Sequence, residues 1–208
     1  MKFILFCEGE TEAKALPPFL KKWLDPRLQR PAGITPVNFK GWPQLVKDAP
    51  TKARMYLNAP DKEKIIAVIA LLDLYGPKFY PSNITTAAQR YNWAKEYLEK
   101  AVALPKFKQF LAVHETEAWL LSDPNLFPHE IKSALPGKVQ HPEEVNFDEP
   151  PARLLDRIYQ QKTKRSYKKT THSIGLLEKL YPNLAYSKCP KLKELLDEML
   201  NLAKAAGL

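Results

Sequence analysis

Residues 3–12 read Phe3-Ile4-Leu5-Phe6-Cys7-Glu8-Gly9-Glu10-Thr11-Glu12, an apolar run that ends in a carboxylate and a glycine. A continuous apolar run is typical of a parallel strand buried on both faces, and ligands of such sheets bind beyond the carboxyl ends of the strands. Gly9 permits a sharp turn without a Cβ clash, and Thr11 is a residue type that caps helices. The stretch predicts a strand, a turn and a helix, with the Glu8 carboxylate at the strand's end.

Two later runs end in acidic residues in the same way. Lys64–Leu72 is rich in β-branched residues and precedes Asp73, and Phe107–Val113 precedes His114-Glu115-Thr116-Glu117. These runs predict two more buried strands, and a shorter strand is predicted over 34–39. Each of the three longer runs therefore delivers a carboxylate to the end of a strand.

Between these strands, apolar residues recur at helical spacing. The predicted helices span 11–24, 43–57 and 83–104. Pro50 predicts a break or a kink in the second of them, because proline lacks the backbone N–H that a helix needs. Strands that alternate with helices predict an α/β fold, in which a mostly parallel sheet of about four strands is flanked by helices.

Beyond Leu121 no further run of the β type occurs, and the predicted helices span 152–161, 173–180 and 188–205. The last third of the chain is therefore expected to be helical. We predict an α/β core over residues 1–121 and a helical extension over residues 122–208. The extension is expected to pack on the core, so that both form a single compact unit.

The composition indicates an ordinary water-soluble protein with a polyanionic partner. The 208 residues carry a formal net charge of +9, and no apolar run approaches the ~18 residues that a membrane span needs. The first residues lack the pattern of a signal peptide, so a cytoplasmic location is expected. Cys7 and Cys189 are too few for a disulfide framework or a metal cluster, and structural roles are expected for both.

The acidic strand ends predict a metal site. Ends of neighbouring parallel strands lie only ~5 Å apart, so Glu8, Asp73 and Glu115 or Glu117 are expected to converge. Carboxylate oxygens are preferred ligands of Mg²⁺ and Mn²⁺, which promote phosphodiester cleavage and phosphoryl transfer. Glu12 is a candidate outer ligand. Glu10 and Glu12 also suit the first turn of a helix, where acids interact favourably with the helix dipole.

Among the histidines, only His114 is a candidate for function. It follows a predicted strand and is either a proton shuttle or phosphate contact, or a structural residue. The segment His114–Ala118 has alanine where a zinc-protease helix needs its second histidine. The sequence contains neither GxxxxGK nor GxGxxG, which argues against nucleotide hydrolysis by this chain.

One basic segment is a candidate nucleic-acid contact. It contains an aromatic residue within a run of cations: Lys162, Lys164, Arg165, Tyr167, Lys168 and Lys169. Such a run is either a solvated surface or a site that binds nucleic-acid phosphates, in which the aromatic ring stacks on a base. If the segment binds nucleic acid, Tyr167 and Lys169 are the first residues expected to do so.

The stretch Cys7–Glu12 resembles the EGxTE signature of Toprim domains in OLD-type (overcoming lysogenisation defect) nucleases. Further motifs resemble, in order, those of a bacterial Toprim-like family known as a domain of unknown function. They are Leu72-Asp73-Leu74-Tyr75-Gly76, His114-Glu115-Thr116-Glu117-Ala118-Trp119-Leu120, Ser122-Asp123-Pro124, Pro142-Glu143-Glu144-Val145-Asn146 and Lys188-Cys189-Pro190. Together they span nearly the whole chain.

The resemblance implies a Toprim-like, Rossmann-like core and magnesium-dependent phosphodiester chemistry. Toprim domains use a glutamate after the first strand and an Asp-x-Asp after a later one. Glu8 matches the first and Asp73 begins the second, but Tyr75 stands where the second aspartate is expected. Glu115 or Glu117 would replace it. The resemblance thus implies catalytic residues Glu8, Asp73, His114, Glu115 and Glu117, with Mg²⁺ or Mn²⁺ bound by Glu8, Glu12, Asp73, Glu115 and Glu117.

The leading hypothesis is a metal-dependent nuclease that acts on DNA or RNA. Family members are often encoded beside an ABC-type ATPase, which implies such an ATPase as a partner in anti-phage or mobile-element defence. Tyr75 favours an alternative, a non-catalytic nucleic-acid-binding or regulatory subunit of that ATPase. A third hypothesis is an adaptor whose basic face binds an acidic protein; it predicts no salt-sensitive affinity for nucleic acid.

Overall fold

The computed structural model describes residues 1–144 and 149–208 and has an α/β fold. Its strands are β1 (Lys2–Cys7), β2 (Gly33–Asn38), β3 (Ile65–Asp73) and β4 (Phe107–Ala112). They form one parallel sheet in the order β2-β1-β3-β4. The prediction of a parallel sheet flanked by helices is confirmed. β2 lies at an edge and contains Pro36, a position that edge strands tolerate because their outer N–H groups are unpaired.

Helices pack on both faces of this sheet and are joined to the strands by turns and irregular segments. They are α1 (Glu10–Leu24), α2 (Trp42–Leu57), α3 (Ala87–Val102), α4 (Glu117–Leu121), α5 (His129–Lys132), α6 (Pro151–Thr163), α7 (Ile174–Lys179), α8 (Pro182–Lys188) and α9 (Pro190–Ala205). A π-helical turn (Lys169–Ser173) precedes α7. Short 3₁₀ turns are Asp25–Arg27, Lys62–Lys64, Pro124–Leu126, Gly137–Gln140 and Pro142–Glu144. Val145 and Asn146 of the fourth motif lie outside the described residues.

Local contacts explain where α3 begins and ends and why α2 continues through its proline. α3 begins later than predicted because Thr86 and Gln89 form a capping box, and it ends before Ala103, whose φ is 56°. α2 continues through Pro50, so the chain does not break there; its buried residues Leu45, Ala49 and Ala53 hold it on the sheet. Burial of that face outweighs the lost backbone hydrogen bond.

The start of α1 differs from the prediction. Its N-cap is Gly9, which makes no side-chain cap, and Thr11 lies inside the helix, so the predicted Thr11 cap is wrong. Gly9 has an extended φ of −133°, so no left-handed turn requires glycine. A Cβ on Gly9 would instead lie 2.7 Å from Glu12 Oε2. Glycine at this position therefore makes room for the Glu12 carboxylate.

Two hydrophobic clusters cover the two faces of the sheet. Phe3 and Leu5 of β1 point to a cluster built with α1, α4 and the helices after residue 150. Ile4 and Phe6 point to the cluster that α2 and α3 cover. Burial on both faces explains the unbroken apolar run in β1. Leu195 of α9 belongs to the first cluster, so the helical extension shares a core with the sheet.

Three of the sequence motifs make contacts with one another or with α9 inside the helical extension. The Glu143 carboxylate accepts hydrogen bonds from Lys191 N at 2.8 Å and Leu192 N at 3.1 Å. These N–H groups lie in the first turn of α9, whose N-cap makes no side-chain cap. Lys188 Nζ donates to Ser122 O at 2.8 Å. The motifs at 122, 143 and 188 therefore have structural contacts.

Replacing Glu143 with alanine is expected to lower the free energy of unfolding by about 1 to 2 kcal/mol, as loss of a helix cap does. Two N–H groups of α9 would lose their acceptor and the helix dipole its negative partner. Urea denaturation measures the change. The matched control is Glu144→Ala, since Glu144 is exposed. Equal effects of the two substitutions would contradict the capping role.

Two findings bear on cellular context. No helix in the described part of the chain is long and apolar enough to cross a membrane. Cys7 and Cys189 are both buried free thiols. Burial raises the pKa of each thiol, which keeps these thiols protonated and fits their expected structural roles.

Candidate active site

The acidic ends of three strands meet at one edge of the sheet, because β1, β3 and β4 are neighbours. Glu8 Oε1 accepts a hydrogen bond from Asp73 N at 2.6 Å, which joins the end of β1 to the end of β3. Asp73 Oδ1 accepts from Thr116 N at 3.2 Å, which joins β3 to the segment after β4. The predicted convergence of Glu8 and Asp73 is thus present in the structure.

A lysine lies at the centre of the carboxylates. Lys169 Nζ is 2.9 Å from Asp73 Oδ2, 3.1 Å from Glu117 Oε2 and 3.8 Å from Glu12 Oε1. The side chain of Glu117 is fully buried, and those of Glu12 and Asp73 are 10% and 13% exposed. With Glu8 these residues form what we call the carboxylate–lysine cluster: Glu8, Glu12, Asp73, Glu117 and Lys169.

The π-helical turn supplies Lys169 and also fixes Glu117. Ser173 Oγ donates to Glu117 Oε1 at 2.6 Å, and the Tyr167 hydroxyl lies 2.7 Å from Ser173 Oγ. Since Ser173 has one hydroxyl proton, Tyr167 donates in that second bond. π-helical turns are rare and often occur at functional sites. This turn brings the C-terminal part of the chain to the end of the sheet.

Of the two acids proposed to replace the second aspartate, only Glu117 contacts Lys169 directly. Glu115 Oε2 accepts from Ala152 N at 2.9 Å, in the first turn of α6. Burial raises the pKa of Glu115, and the charge on Lys169 opposes this. Glu115 is therefore near the cluster but is engaged at the start of α6.

Burial has the largest effect on the pKa values of Glu8 and Asp73, whereas charge has the decisive effect on Lys169. Burial raises the pKa of Glu8 to about 7, although the hydrogen bond from Asp73 N opposes the shift. Burial also raises the pKa of Asp73, with Lys169 opposing. For Lys169, burial acts to lower the pKa, but the charges of Asp73, Glu117, Glu115 and Glu12 outweigh it, so the pKa rises. Lys169 is consequently a permanent cation that compensates the acidic groups.

His114 is buried, and its backbone φ is 64°. Its carbonyl accepts a hydrogen bond from Tyr75 N at 2.8 Å, which helps to shape the chain after β3. Burial lowers the pKa of the imidazole, and a hydrogen bond with the Glu143 backbone opposes this. The lowered pKa favours the neutral imidazole at pH 7, and the catalytic role of His114 stays a prediction.

The basic segment divides into two parts. Lys162, Lys164, Arg165 and Lys168 are exposed, as a phosphate-binding surface requires. Tyr167 is only 6% exposed, and its ring packs 5.6 Å from that of Tyr159 and 5.4 Å from that of His172. Its burial leaves little ring surface for the predicted stacking. Lys169 points toward carboxylates and not toward the solvent, where a nucleic-acid phosphate would bind. The basic run in the sequence gave no indication of this position.

The carboxylate oxygens of the cluster are the ligand type that a hard divalent cation prefers, but their present arrangement leaves no metal position among them. Across residues 1–144 and 149–208, no group of three or more Asp, Glu, His or Cys side chains is arranged to hold a metal ion. The Lys169 ammonium instead lies among the carboxylates and supplies the positive charge there in place of a metal ion. The donors are all oxygens, as Mg²⁺ and Mn²⁺ prefer. A divalent ion would therefore have to displace Lys169.

Comparisons with known proteins place the chain in a family. A solved structure of the C-terminal region of the Burkholderia pseudomallei OLD protein is similar over 99% of this chain and 98% of that chain, with 17% identity and a TM-score of 0.48. At this identity the similarity concerns the fold alone. No curated protein matches the sequence. The model of the family described as Domain of unknown function (DUF4276) matches residues 7–200, and the chain therefore belongs to that family.

Proposed function

We propose that this protein is a Toprim-type nuclease that hydrolyses phosphodiesters of DNA or RNA with Mg²⁺ or Mn²⁺. The observation that carries the proposal is the carboxylate–lysine cluster, in which acids from three neighbouring strand ends surround one cation position. Burial also raises the pKa values of Glu8, Asp73 and Glu115, and strongly shifted pKa values cluster at functional sites. The EGxTE resemblance and the family membership are consistent with it.

In this proposal Glu12, Asp73 and Glu117 hold the metal, and Glu8 and Glu115 complete the acidic surroundings. The bound metal would lower the pKa of water and stabilise charge on the leaving oxygen. Glu8, whose pKa is about 7, is suited to accept the proton of the attacking water near neutral pH. As the water oxygen bonds to phosphorus, the bond from phosphorus to one ester oxygen breaks.

The nucleic acid itself would be held by the exposed cations Lys162, Lys164, Arg165 and Lys168. Contacts of lysine and arginine with phosphates position a strand without reading its sequence. We include in the proposal the ABC-type ATPase as a partner and a role in anti-phage or mobile-element defence, because the ordered motifs resemble a bacterial Toprim-like family whose members are often encoded beside such an ATPase.

The decisive test is cleavage of single-stranded and duplex DNA and RNA with Mn²⁺, with and without an ATPase from a neighbouring gene. We expect wild-type protein to cut and Asp73→Ala to lose at least about 100-fold in rate, because Asp73 would be a metal ligand. Asp123→Ala is the matched control, since that aspartate only caps a 3₁₀ turn. No cutting in any combination, or equal cutting by Asp73→Ala, would refute the proposal.

A second candidate is a non-catalytic nucleic-acid-binding or regulatory subunit. Two observations favour it: Tyr75 replaces the expected aspartate, and the Lys169 ammonium already lies between Asp73 and Glu117, where a metal ion would bind. A metal that binds the native state raises the melting temperature as its concentration increases. Titration with Mn²⁺ separates the candidates, because the nuclease is expected to be stabilised and the regulatory subunit is not.

A further inference from the structure

Two buried hydroxyl groups lead from the basic segment to Glu117. The Tyr167 hydroxyl lies 2.7 Å from Ser173 Oγ, which in turn donates to Glu117 Oε1 at 2.6 Å. Tyr167, Ser173 and Glu117 are only 6%, 2% and 0% exposed. Water therefore competes little for these bonds, and a hydrogen bond to a carboxylate is roughly twice as strong as one between neutral groups. We call Tyr167 and Ser173 the hydroxyl pair.

The outer end of the hydroxyl pair is held in place by α6 and by two rings. Tyr167 N donates to Asp156 Oδ1 of α6 at 2.9 Å. The Tyr167 ring stacks on His172 with centroids 5.4 Å apart and packs 5.6 Å from the ring of Tyr159. Backbone and ring are both fixed, so the hydroxyl donates to Ser173 from a set position. Supporting side chains that are locked in this way hold a functional group in its productive geometry.

The hydroxyl pair decides which oxygen of Glu117 faces the cation position. Ser173 engages Oε1, and the other oxygen, Oε2, lies 3.1 Å from Lys169 Nζ. The terminal torsion of a glutamate is soft, so a bond to one oxygen is needed to set the direction of the other. Lys169 begins the π-helical turn and Ser173 ends it. One turn therefore supplies both the cation and the group that orients its acid.

We propose that Tyr167 and Ser173 are positioning residues, which act through Glu117 and direct its Oε2 to the cation position of the carboxylate–lysine cluster. In the metal-free protein this position holds the Lys169 ammonium. In the proposed nuclease, on which this part of the proposal rests, Oε2 is turned toward the divalent ion. Carboxylates that bind metals are commonly oriented by such hydrogen bonds. Tyr167 thus acts inside the fold instead of stacking on a base.

The first test requires neither metal nor cleavage. Urea denaturation in EDTA compares wild type, Ser173→Ala, Lys169→Met and the double variant. We expect Ser173→Ala to raise the equilibrium constant of unfolding roughly 10- to 150-fold, because a buried carboxylate oxygen loses its donor. Beside Lys169→Met the same change should be at least about 3-fold smaller, because part of its cost is the weakened contact between Glu117 and Lys169.

Tyr167→Phe is the milder variant for the same comparison, since it keeps the ring and removes only the hydroxyl. We expect a rise of roughly 2- to 10-fold, again smaller beside Lys169→Met. Tyr159→Phe is its matched control, because that ring packs on Tyr167 but its hydroxyl is outside the pair. Ser122→Ala is the control for Ser173→Ala: Ser122 is also buried and donates to a backbone carbonyl at 2.6 Å. Its effect should add to that of Lys169→Met. Additive effects of both variants of the hydroxyl pair would overturn the proposal.

Titration with Mn²⁺, followed by the melting temperature, tests the metal-bound state. We expect Tyr167→Phe to weaken Mn²⁺ binding roughly 10-fold, the lower end of the range for such supporting bonds, and Tyr159→Phe to bind as wild type does. Equal affinity of wild type and Tyr167→Phe would overturn the positioning of a metal ligand. A wild-type protein that Mn²⁺ does not stabilise would instead refute the proposed nuclease, whereas non-additive effects in EDTA would still support the hydroxyl pair. The two failures are therefore distinguishable.

Discussion

Glu8→Gln is expected to reduce metal-dependent cleavage by at least about 100-fold, the usual contribution of a general base or acid. The amide of glutamine cannot accept the proton of the attacking water. It can still accept the hydrogen bond from Asp73 N that Glu8 Oε1 receives at 2.6 Å. The loss would therefore be one of chemistry, with the strand ends still joined. Initial rates with Mn²⁺ at saturating substrate measure the effect.

The same substitution is expected to stabilise the metal-free fold above pH 7. The pKa of Glu8 is raised from 4.5 to about 7, so between these values the folded state holds a proton that the unfolded state has released. The contribution of Glu8 to stability is therefore highest below pH 4.5 and falls as the pH rises to 7. Glutamine removes this penalty, which we put at about 1 to 2 kcal/mol after allowing for solvent screening.

Glu10→Gln is the matched control for both effects. Glu10 lies two residues after Glu8, at the start of α1, but it is exposed and forms a salt bridge with Lys14 at 2.6 Å. We expect it to change neither cleavage nor the pH dependence of the melting temperature appreciably. Full activity of Glu8→Gln would place the reaction centre elsewhere. A fall in its melting temperature at pH 8 would show that the Glu8 charge stabilises the fold.

Lys169→Met is expected to cost the metal-free protein about 3 kcal/mol at pH 7.5, the lower end of the range for breaking a buried ion pair. It would leave Asp73, Glu117 and Glu12 without the ammonium that lies 2.9 to 3.8 Å from them. For a chain of this length the melting temperature should fall by roughly 6 to 12 °C. The loss should shrink toward pH 5, because the carboxyl groups with raised pKa values take up protons.

Manganese should reverse this loss, since a divalent ion can replace the missing positive charge. At a free concentration of about 100 times its dissociation constant, a ligand of the native state contributes about 2.7 kcal/mol. Differential scanning fluorimetry with and without Mn²⁺ measures both changes. Lys168→Met is the control, because Lys168 is exposed. Destabilisation that Mn²⁺ leaves unchanged would argue against a metal site in the cluster.

The sequence predicted the fold, and it placed Glu8 and Asp73 of the candidate site at the ends of strands. Apolar periodicity depends on residues close together in the chain, so the strands before Glu8 and Asp73 were recognisable without tertiary information. The alternation of strands and helices implied a parallel sheet, and parallel strands deliver their carboxyl ends to one edge. The start of α3 and the continuation of α2 through Pro50 were predicted less well, because the capping box at Thr86 and the burial of one face of α2 depend on competing local and tertiary effects.

By itself the sequence determined the α/β class and the acidic strand ends, whereas the convergence of Glu8 with Asp73 also depended on the strand order, which places β1 beside β3. Only the tertiary structure decided that Lys169 enters the acidic cluster, that Glu117 rather than Glu115 contacts it, and that Tyr167 is buried. The physical reason is distance along the chain. Lys169 and Asp73 are 96 residues apart, and no local periodicity reports which segments pack together at that separation. Burial and charge compensation, which are properties of the whole fold, settle those positions.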